Sequence, residues 1–337
     1  MDTSFGIQQK GKRNLITDVA GITVGHCTLA DGDVQTGVTA LLPHQGDLFH
    51  DRCPAAVHVI NGFGKSAGLV QVQELGYLEA PLILTNTLSV GTAFTACVRY
   101  MLARNDQIGR AESTVNPIIL ECNDGYLNDI RGLHVTEDHV FAALGAADTT
   151  FALGAVGAGR GMSCYHLKGG IGSASRVFEI GGQTYTLGAL AMTNFGSLVD
   201  LTIAGERIGK KLTAEAEDAK GSCILVLATD APLSSRQLAR VARRAQSGLA
   251  RTGAVVEHGS GEIVLAFSTA NRIQAGQLFH SGVYLNDEAL RSVFRAATET
   301  VEESIIRSML EAETVTGRDG HIRLSLYDAM ERAGLPR

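Results

Sequence analysis

The stretch Lys220–Asp230, KGSCILVLATD, joins a polar Gly221-Ser222 pair directly to an unbroken apolar run, Cys223–Ala228. A short aliphatic run bounded by turn residues predicts a strand buried on both faces. Ser222 is then either the last residue of a turn or a hydroxyl carried at the mouth of that strand. A serine hydroxyl is a poor nucleophile without a base. If the Gly221–Ser222 peptide breaks, Ser222 acquires its own base, an α-amine with an ordinary pKa of roughly 7.7–8.0. That amine can take the hydroxyl proton near neutral pH across one short contact. Gly221 leaves the attacked carbonyl uncrowded and tolerates a strained backbone. The plain alternative is a turn residue that opens a strand.

Similar runs occur outward from this one. AAVHVIN (55–61), APLILTN (80–86), NPIILEC (116–122) and GEIVLAFS (261–268) are predicted as buried strands. Residues 234–251 form a helical pattern with Leu238, Val241, Ala242, Ala245 and Leu249 on one face. The arginines at 236, 240, 243 and 244 make a solvated face. Residues 287–313 predict a second helix, with Leu290, Phe294, Val301, Ile305 and Leu310 near helical spacing. No repeat, low-complexity tract or Pro/Ser-rich linker divides the chain, so residues 1–337 are expected to form one layered α+β or α/β domain. Segment 212–222 is charged, small and weakly hydrophobic. It is expected to be an exposed connection that tolerates a chain break.

Of the 337 residues, 45% are hydrophobic and 19% charged, with a formal net charge of −6. This balance supports a sizeable core and gives no basis for general affinity toward nucleic acid or anionic membranes. No uninterrupted apolar run reaches the length of a membrane-spanning helix. The polar start MDTSFGIQQKGKRN lacks the apolar core of a signal peptide, so a cytoplasmic location is expected. The six cysteines, at 27, 53, 97, 122, 164 and 223, show no metal or disulfide spacing and are expected to be free thiols. GAVGAGRGM (154–162) has Met162 where GxGxxG needs glycine, and no GK[ST] follows it. A structural loop, or one that approaches a small substrate, is expected rather than a nucleotide site. No HExxH occurs, and the sequence points to no metal and no organic cofactor.

GSCILVLATDAPLS (221–234), followed by LARTGAVVEHGSGEIVLAFSTAN (249–271), resembles the DmpA/BapA family of self-processing N-terminal-serine aminopeptidases. NLITDVAGITVGHCT (14–28), PLILTNTLSVGTA (81–93), DGYLNDI (124–130), GAVGAGRGM, LKGGIGSASR (167–176) and AETVTGRDG (312–320) match in order, so the likeness spans nearly the whole chain. The resemblance implies a four-layer α/β/β/α sandwich, similar in section to the N-terminal nucleophile hydrolases but with different connectivity. It also implies self-cleavage at Gly221–Ser222 into residues 1–221 and 222–337, which stay together within a homo-oligomer, a tetramer by the same resemblance.

The family's functional positions fall on residues of this chain. The nucleophile falls on Ser222, and the supporting pair on Ser260 and Glu262, which share one face of a strand. Ser260 can bond the amine or hydroxyl of Ser222 while Glu262 orients that network. The oxyanion donor falls on Asn194, and the glutamate that receives the substrate's free amino group falls on Glu121. Asn123 stands where some members carry an aromatic hydroxyl, and Tyr126 is the nearby substitute. Phe63 and Lys65 replace the Asn and Glu of some members in a loop expected to border the substrate pocket. The expected substrates are small peptides, amides or esters with a free amino terminus, bearing α- or β-residues. The alternatives are an acyltransferase of the ornithine acetyltransferase type, whose nucleophile is threonine, and a non-enzymatic binding protein that never cleaves.

Overall fold

The computed structural model describes residues 5–213 and 221–336. Residues 214–220, most of the expected exposed connection, lie outside the described residues. The strands, in chain order, are β1 (Thr23–Asp31), β2 (Val34–Leu42), β3 (Asp51–Gly62), β4 (Tyr77–Leu78), β5 (Leu82–Asn86) and β6 (Ile118–Cys122). They continue with β7 (Ser163–Cys164), β8 (Leu167–Lys168), β9 (Gly170–Ile180), β10 (Gln183–Asn194), β11 (Ser222–Thr229) and β12 (Gly261–Ser268), then β13 (Ile273–Gln274), β14 (Val315–Thr316) and β15 (Ile322–Arg323). The helices are α1 (Leu69–Leu75), α2 (Val90–Leu102), α3 (Glu137–Gly145), α4 (Gly209–Leu212), α5 (Ser235–Arg251), α6 (Arg291–Leu310) and α7 (Leu326–Arg332). The fold is mixed α/β.

The larger sheet runs β13-β3-β12-β11-β10-β9, with β4 paired to β3. The smaller runs β1-β2-β5-β6. In the larger sheet β11 and β12 are parallel, and β11 and β10 antiparallel.

The unbroken apolar run in β11 has a direct physical cause. Cys223, Leu225 and Leu227 enter a core with Leu238 and Val241 of α5 and with Val301 and Ile305 of α6. Ile224, Val226 and Ala228 enter another with Leu41, Leu82, Leu84, Ile118 and Leu120 of the smaller sheet. Side chains alternate across a strand, and both faces of this one are covered, so every position is apolar. A third core joins Val38, Ile83 and Ile119 to Ala93 and Ala96 of α2 and Val140 of α3.

Helix α5 follows its sequence closely. The Ser234 side chain accepts the Gln237 N–H as an N-cap, and all five expected apolar residues are buried. Arg236 and Arg240 stand on the outer face, where both pair with Asp287. The second helical pattern is divided: Asp287–Leu290 form a 3₁₀ turn before α6. Among the described residues, no helix is long and apolar enough to cross a membrane.

Candidate active site

Ser222 is the first residue of β11. It stands in register with Asn194, the last residue of β10, and with Gly261, the first residue of β12. Gly261 is paired in turn with Gly62, at the end of β3. Four neighbouring strands therefore reach one line at the sheet's edge, with the hydroxyl inside the line rather than at its rim. The Gly261 N–H lies 3.2 Å from the Gly221 carbonyl oxygen and 3.2 Å from Ser222 Oγ. One donor is shared between the hydroxyl and the carbonyl of the peptide just before it. Gly221 itself has φ +151°, a conformation that side chains rarely adopt.

Asn194 is held at both ends of its amide. Its Oδ1 accepts the Ser163 N–H at 2.8 Å, and its Nδ2 donates to the Asn123 carbonyl at 2.9 Å. A backbone donor on one side and a backbone acceptor on the other fix which end is oxygen. One N–H of Nδ2 is engaged by Asn123. The residue lines the same cavity as Ser222.

Glu121 lies inside β6 and is buried. One carboxylate oxygen accepts the Lys65 N–H at 2.7 Å, and the other accepts the Thr87 hydroxyl. The carboxylate is thus fixed in position while still lining the cavity.

That cavity has a volume of about 580 Å³ and contains Ser222, Asn194, Glu121, Tyr126 and Phe63 on its walls. The Lys65 ammonium lies over the Phe63 ring, 4.5 Å from its centroid. Tyr126 stacks on His321 with centroids 4.6 Å apart, and the Arg323 guanidinium lies 3.6 Å from the same ring. Gly221 lines the cavity too, so six sequence-predicted residues meet in one space.

Ser260 and Glu262 line a separate small cleft that Gly221 also borders. They share one side of the chain, and Ser260 Oγ lies 2.9 Å from Glu262 Oε2 and 2.6 Å from the Glu257 carbonyl. The Ser260 hydroxyl is engaged with these two groups, and the intervening Gly261 supplies the contact to Ser222. Burial pushes the Glu262 carboxyl up from its ordinary 4.5 to about 7, against the opposing effects of bonds from Ser260 and from its own backbone.

Thr87, Ser163, His166 and Arg323 also line the cavity and were not singled out from the sequence. Thr87 sits inside a quoted motif, and Ser163 directly follows another. Arg323 carries no local signal. The GAVGAGRGM glycines serve packing: a Cβ at Gly161 would lie 2.1 Å from the Gln35 carbonyl oxygen.

Known proteins resemble this chain over nearly its whole length. The profile of Peptidase family S58 matches residues 14–323. The β-peptidyl aminopeptidase BapA of Sphingosinicella microcystinivorans is 38% identical over 97% of this chain and 89% of its own. The crystal structure of the PH0078 protein from Pyrococcus horikoshii OT3 superposes with a TM-score of 0.93 at 49% identity, covering 99% of this chain and 98% of that one. The L-aminopeptidase D-Ala-esterase/amidase of Ochrobactrum anthropi, described as a prototype serine aminopeptidase with a variant of the Ntn hydrolase fold, gives 0.90 at 36% identity, covering 98% and 96%. Fold and relatives define a hydrolase of the aminopeptidase and amidase class, with an N-terminal nucleophile. Within that class, the chain belongs to Peptidase family S58. The resemblance drawn from the motifs is the correct one.

Proposed function

We propose that this hydrolase cuts its own Gly221–Ser222 peptide and then releases N-terminal residues from small substrates through an ester on Ser222. One observation carries the reading: the Gly261 N–H is 3.2 Å from both Ser222 Oγ and the Gly221 oxygen. It gathers the nucleophile and its target, and it is a donor for the charge that develops on that oxygen.

In maturation, Ser222 Oγ attacks the Gly221 carbonyl carbon. The C–N bond breaks, the nitrogen takes the hydroxyl proton, and an ester replaces the peptide. Water then hydrolyses the ester, leaving a carboxylate on Gly221 and an α-amine on Ser222. In turnover, that amine accepts the hydroxyl proton as Oγ attacks the substrate carbonyl. The Asn194 amide stabilises the oxyanion. The departing amine takes the proton, and water cleaves the acyl-enzyme. Glu121 receives the substrate's ammonium, and Ser260 with Glu262 orients the Ser222 amine. The scheme uses side chains, the Ser222 α-amine, the Gly261 N–H and water.

Residues 1–221 and 222–337 would remain a single domain, since β10, β11 and β12 are adjacent strands of one sheet. The three cores support a four-layer α/β/β/α arrangement, and the family supports a homo-oligomer. The substrates would be small peptides, amides or esters with a free amino terminus, bearing α- or β-residues as the name of the BapA relative suggests.

Intact mass and amide hydrolysis test the reading together. Active protein should consist of chains 1–221 and 222–337, and Ser222→Ala should stay whole. N-acetylation of a p-nitroanilide substrate should abolish its turnover. Full activity in uncut protein, or equal turnover of free and acetylated substrates, would overturn it. Transfer of the acyl group to an added amine in preference to water would point to the acyltransferase alternative.

A further inference from the structure

Glu121 is 3% exposed, yet no Lys, Arg or His side chain pairs with it among the described residues. Its contacts are two neutral donors: the Lys65 N–H on Oε1 at 2.7 Å and the Thr87 hydroxyl on Oε2. The Lys65 ammonium, carried by the same loop, lies instead over the Phe63 ring. Buried carboxylates are ordinarily paired with a cation. This one lines the cavity, where a ligand can bring the missing charge. A carboxylate offers about four lone-pair sites, so two donors leave about two for that ligand.

Thr87 is set beside it by a built turn. Thr85 of β5 stands in parallel register with Glu121 of β6, and Asn86 ends β5 opposite Cys122. The buried Asn86 side chain then turns the chain. Its Oδ1 accepts the N–H groups of Leu88 and Ser89, both at 3.1 Å, which caps the 3₁₀ turn Thr87–Ser89. Its Nδ2 donates to Thr36 Oγ1 of β2 at 2.8 Å, so the amide is engaged at both ends. The Thr87 hydroxyl gives its one proton to Glu121, and among the described residues it makes no other hydrogen bond. Its lone pairs therefore remain as acceptors, and Thr87 lines the cavity as Glu121 does.

We propose that Glu121 and Thr87 hold the substrate's ammonium together, so that the enzyme selects primary amines and uses N-alkylated or proline N-termini poorly. A primary ammonium has three N–H donors. Two meet the open sites of the carboxylate, and the third meets the Thr87 oxygen. Because Thr87 Oγ1 and the carboxylate are bonded to each other, one ammonium can reach both. A secondary ammonium, proline's included, has only two donors and leaves one buried acceptor unmet. This rests on the aminopeptidase reading above and adds the class of amine, with the residue that reads it.

The test uses the matured enzyme with the p-nitroanilides of L-Ala, N-methyl-L-Ala and N-acetyl-L-Ala. Wild-type kcat/KM should favour the primary amine over the N-methyl compound by at least about tenfold, the loss expected for one hydrogen bond to a charged group. Thr87→Val keeps the shape of the side chain without the hydroxyl, and should bring that ratio toward one. Thr87→Ser should retain it, and Thr87→Ala replaces the valine variant if that one does not fold. Equal use of the primary and N-methyl substrates by wild type overturns the proposal. So does an unchanged ratio in the variant without the hydroxyl, even with lower overall activity, since Thr87 would then only position Glu121. If acetylation abolishes turnover while the N-methyl compound is used as well as L-Ala, the aminopeptidase reading stands and this one falls. If the acetylated substrate is cleaved as well as the free one, both fall.

Discussion

Gly221 passes Asn194 so closely that a Cβ at position 221 would sit 1.8 Å from the Asn194 carbonyl oxygen. That contact is with backbone, which cannot swing aside as a side chain can. Residue 221 must therefore be glycine for Ser222 to keep its register with Asn194. Gly221→Ala should remain largely uncut, with cleavage slowed by roughly 10²-fold, the scale of loss for a misplacement near 1 Å. Intact mass against time measures it. Cleavage at the wild-type rate would remove the steric argument.

Asn194→Ala should lower kcat by roughly 10²–10³-fold, the usual loss for one oxyanion donor. Maturation passes through a similar tetrahedral species, so the measurement needs protein shown by mass to be cut, or the two chains co-expressed. KM should change little, because the interaction grows as negative charge develops. A near-normal kcat in fully cut protein would transfer the role to backbone donors such as the Gly261 N–H.

Lys168 is fully buried and donates to the carbonyls of Gly159, Met162 and Gly169 at 3.0, 2.8 and 2.7 Å. Its three donors meet three acceptors. The Met162 carbonyl immediately precedes Ser163, whose N–H fixes Asn194. Lys168→Met removes those donors and should cost at least about 1–3 kcal/mol, the scale for unsatisfied buried polar groups. It should also lower kcat more than it alters KM, since the Asn194 amide loses its fixed partner. A loss of stability with unchanged kcat would confine Lys168 to a structural role.

β11 and β12 are legible because aliphatic side chains cover both of their faces, whereas the 55–61 run, also read as a buried strand, lies in β3 with Val59 47% exposed. β9 escaped for an equally physical reason. A Cβ at Gly172 would lie 1.8 Å from the Ser304 carbonyl oxygen, so α6 packs directly on the strand and admits only small residues there. Farther along β9, buried Arg176 pairs with Glu299 and Glu303 of α6, at 3.2 and 2.7 Å. Glycine, serine and arginine carry no strand signal, although the packing demands them. The site divides in the same way. Ser222, Asn194, Glu121, Ser260 and Glu262 were singled out through motifs. Arg323 and His166 reach the cavity through hairpins whose placement depends on tertiary contacts, and no local pattern marks them.

Glu262 makes a pH prediction with a definite sign. Ser260 has one hydroxyl proton but two close acceptors, the Glu257 carbonyl and the Glu262 carboxyl. Burial holds the Glu262 pKa at about 7 even though the Ser260 bond favours the carboxylate. The folded state therefore holds this proton more tightly than the unfolded chain does. The resulting stability is fully present below the ordinary 4.5 and is lost as pH rises through about 7. The Ser222 amine would titrate nearby, so the uncut Ser222→Ala chain isolates the effect. Its unfolding free energy should fall by about 1–3 kcal/mol between pH 5 and 8 relative to Ser222→Ala/Glu262→Gln, whose amide does not titrate. Activity should run the opposite way. On the role proposed above for Ser260 and Glu262, the carboxylate that forms above pH 7 would hold the Ser260 proton and leave its oxygen to accept from the Ser222 amine. Turnover by matured wild type should rise through about pH 7, and Glu262→Gln should lose that inflection while keeping the one that belongs to the amine. Identical pH profiles for the two proteins would show that Glu262 takes no part in setting the state of the nucleophile.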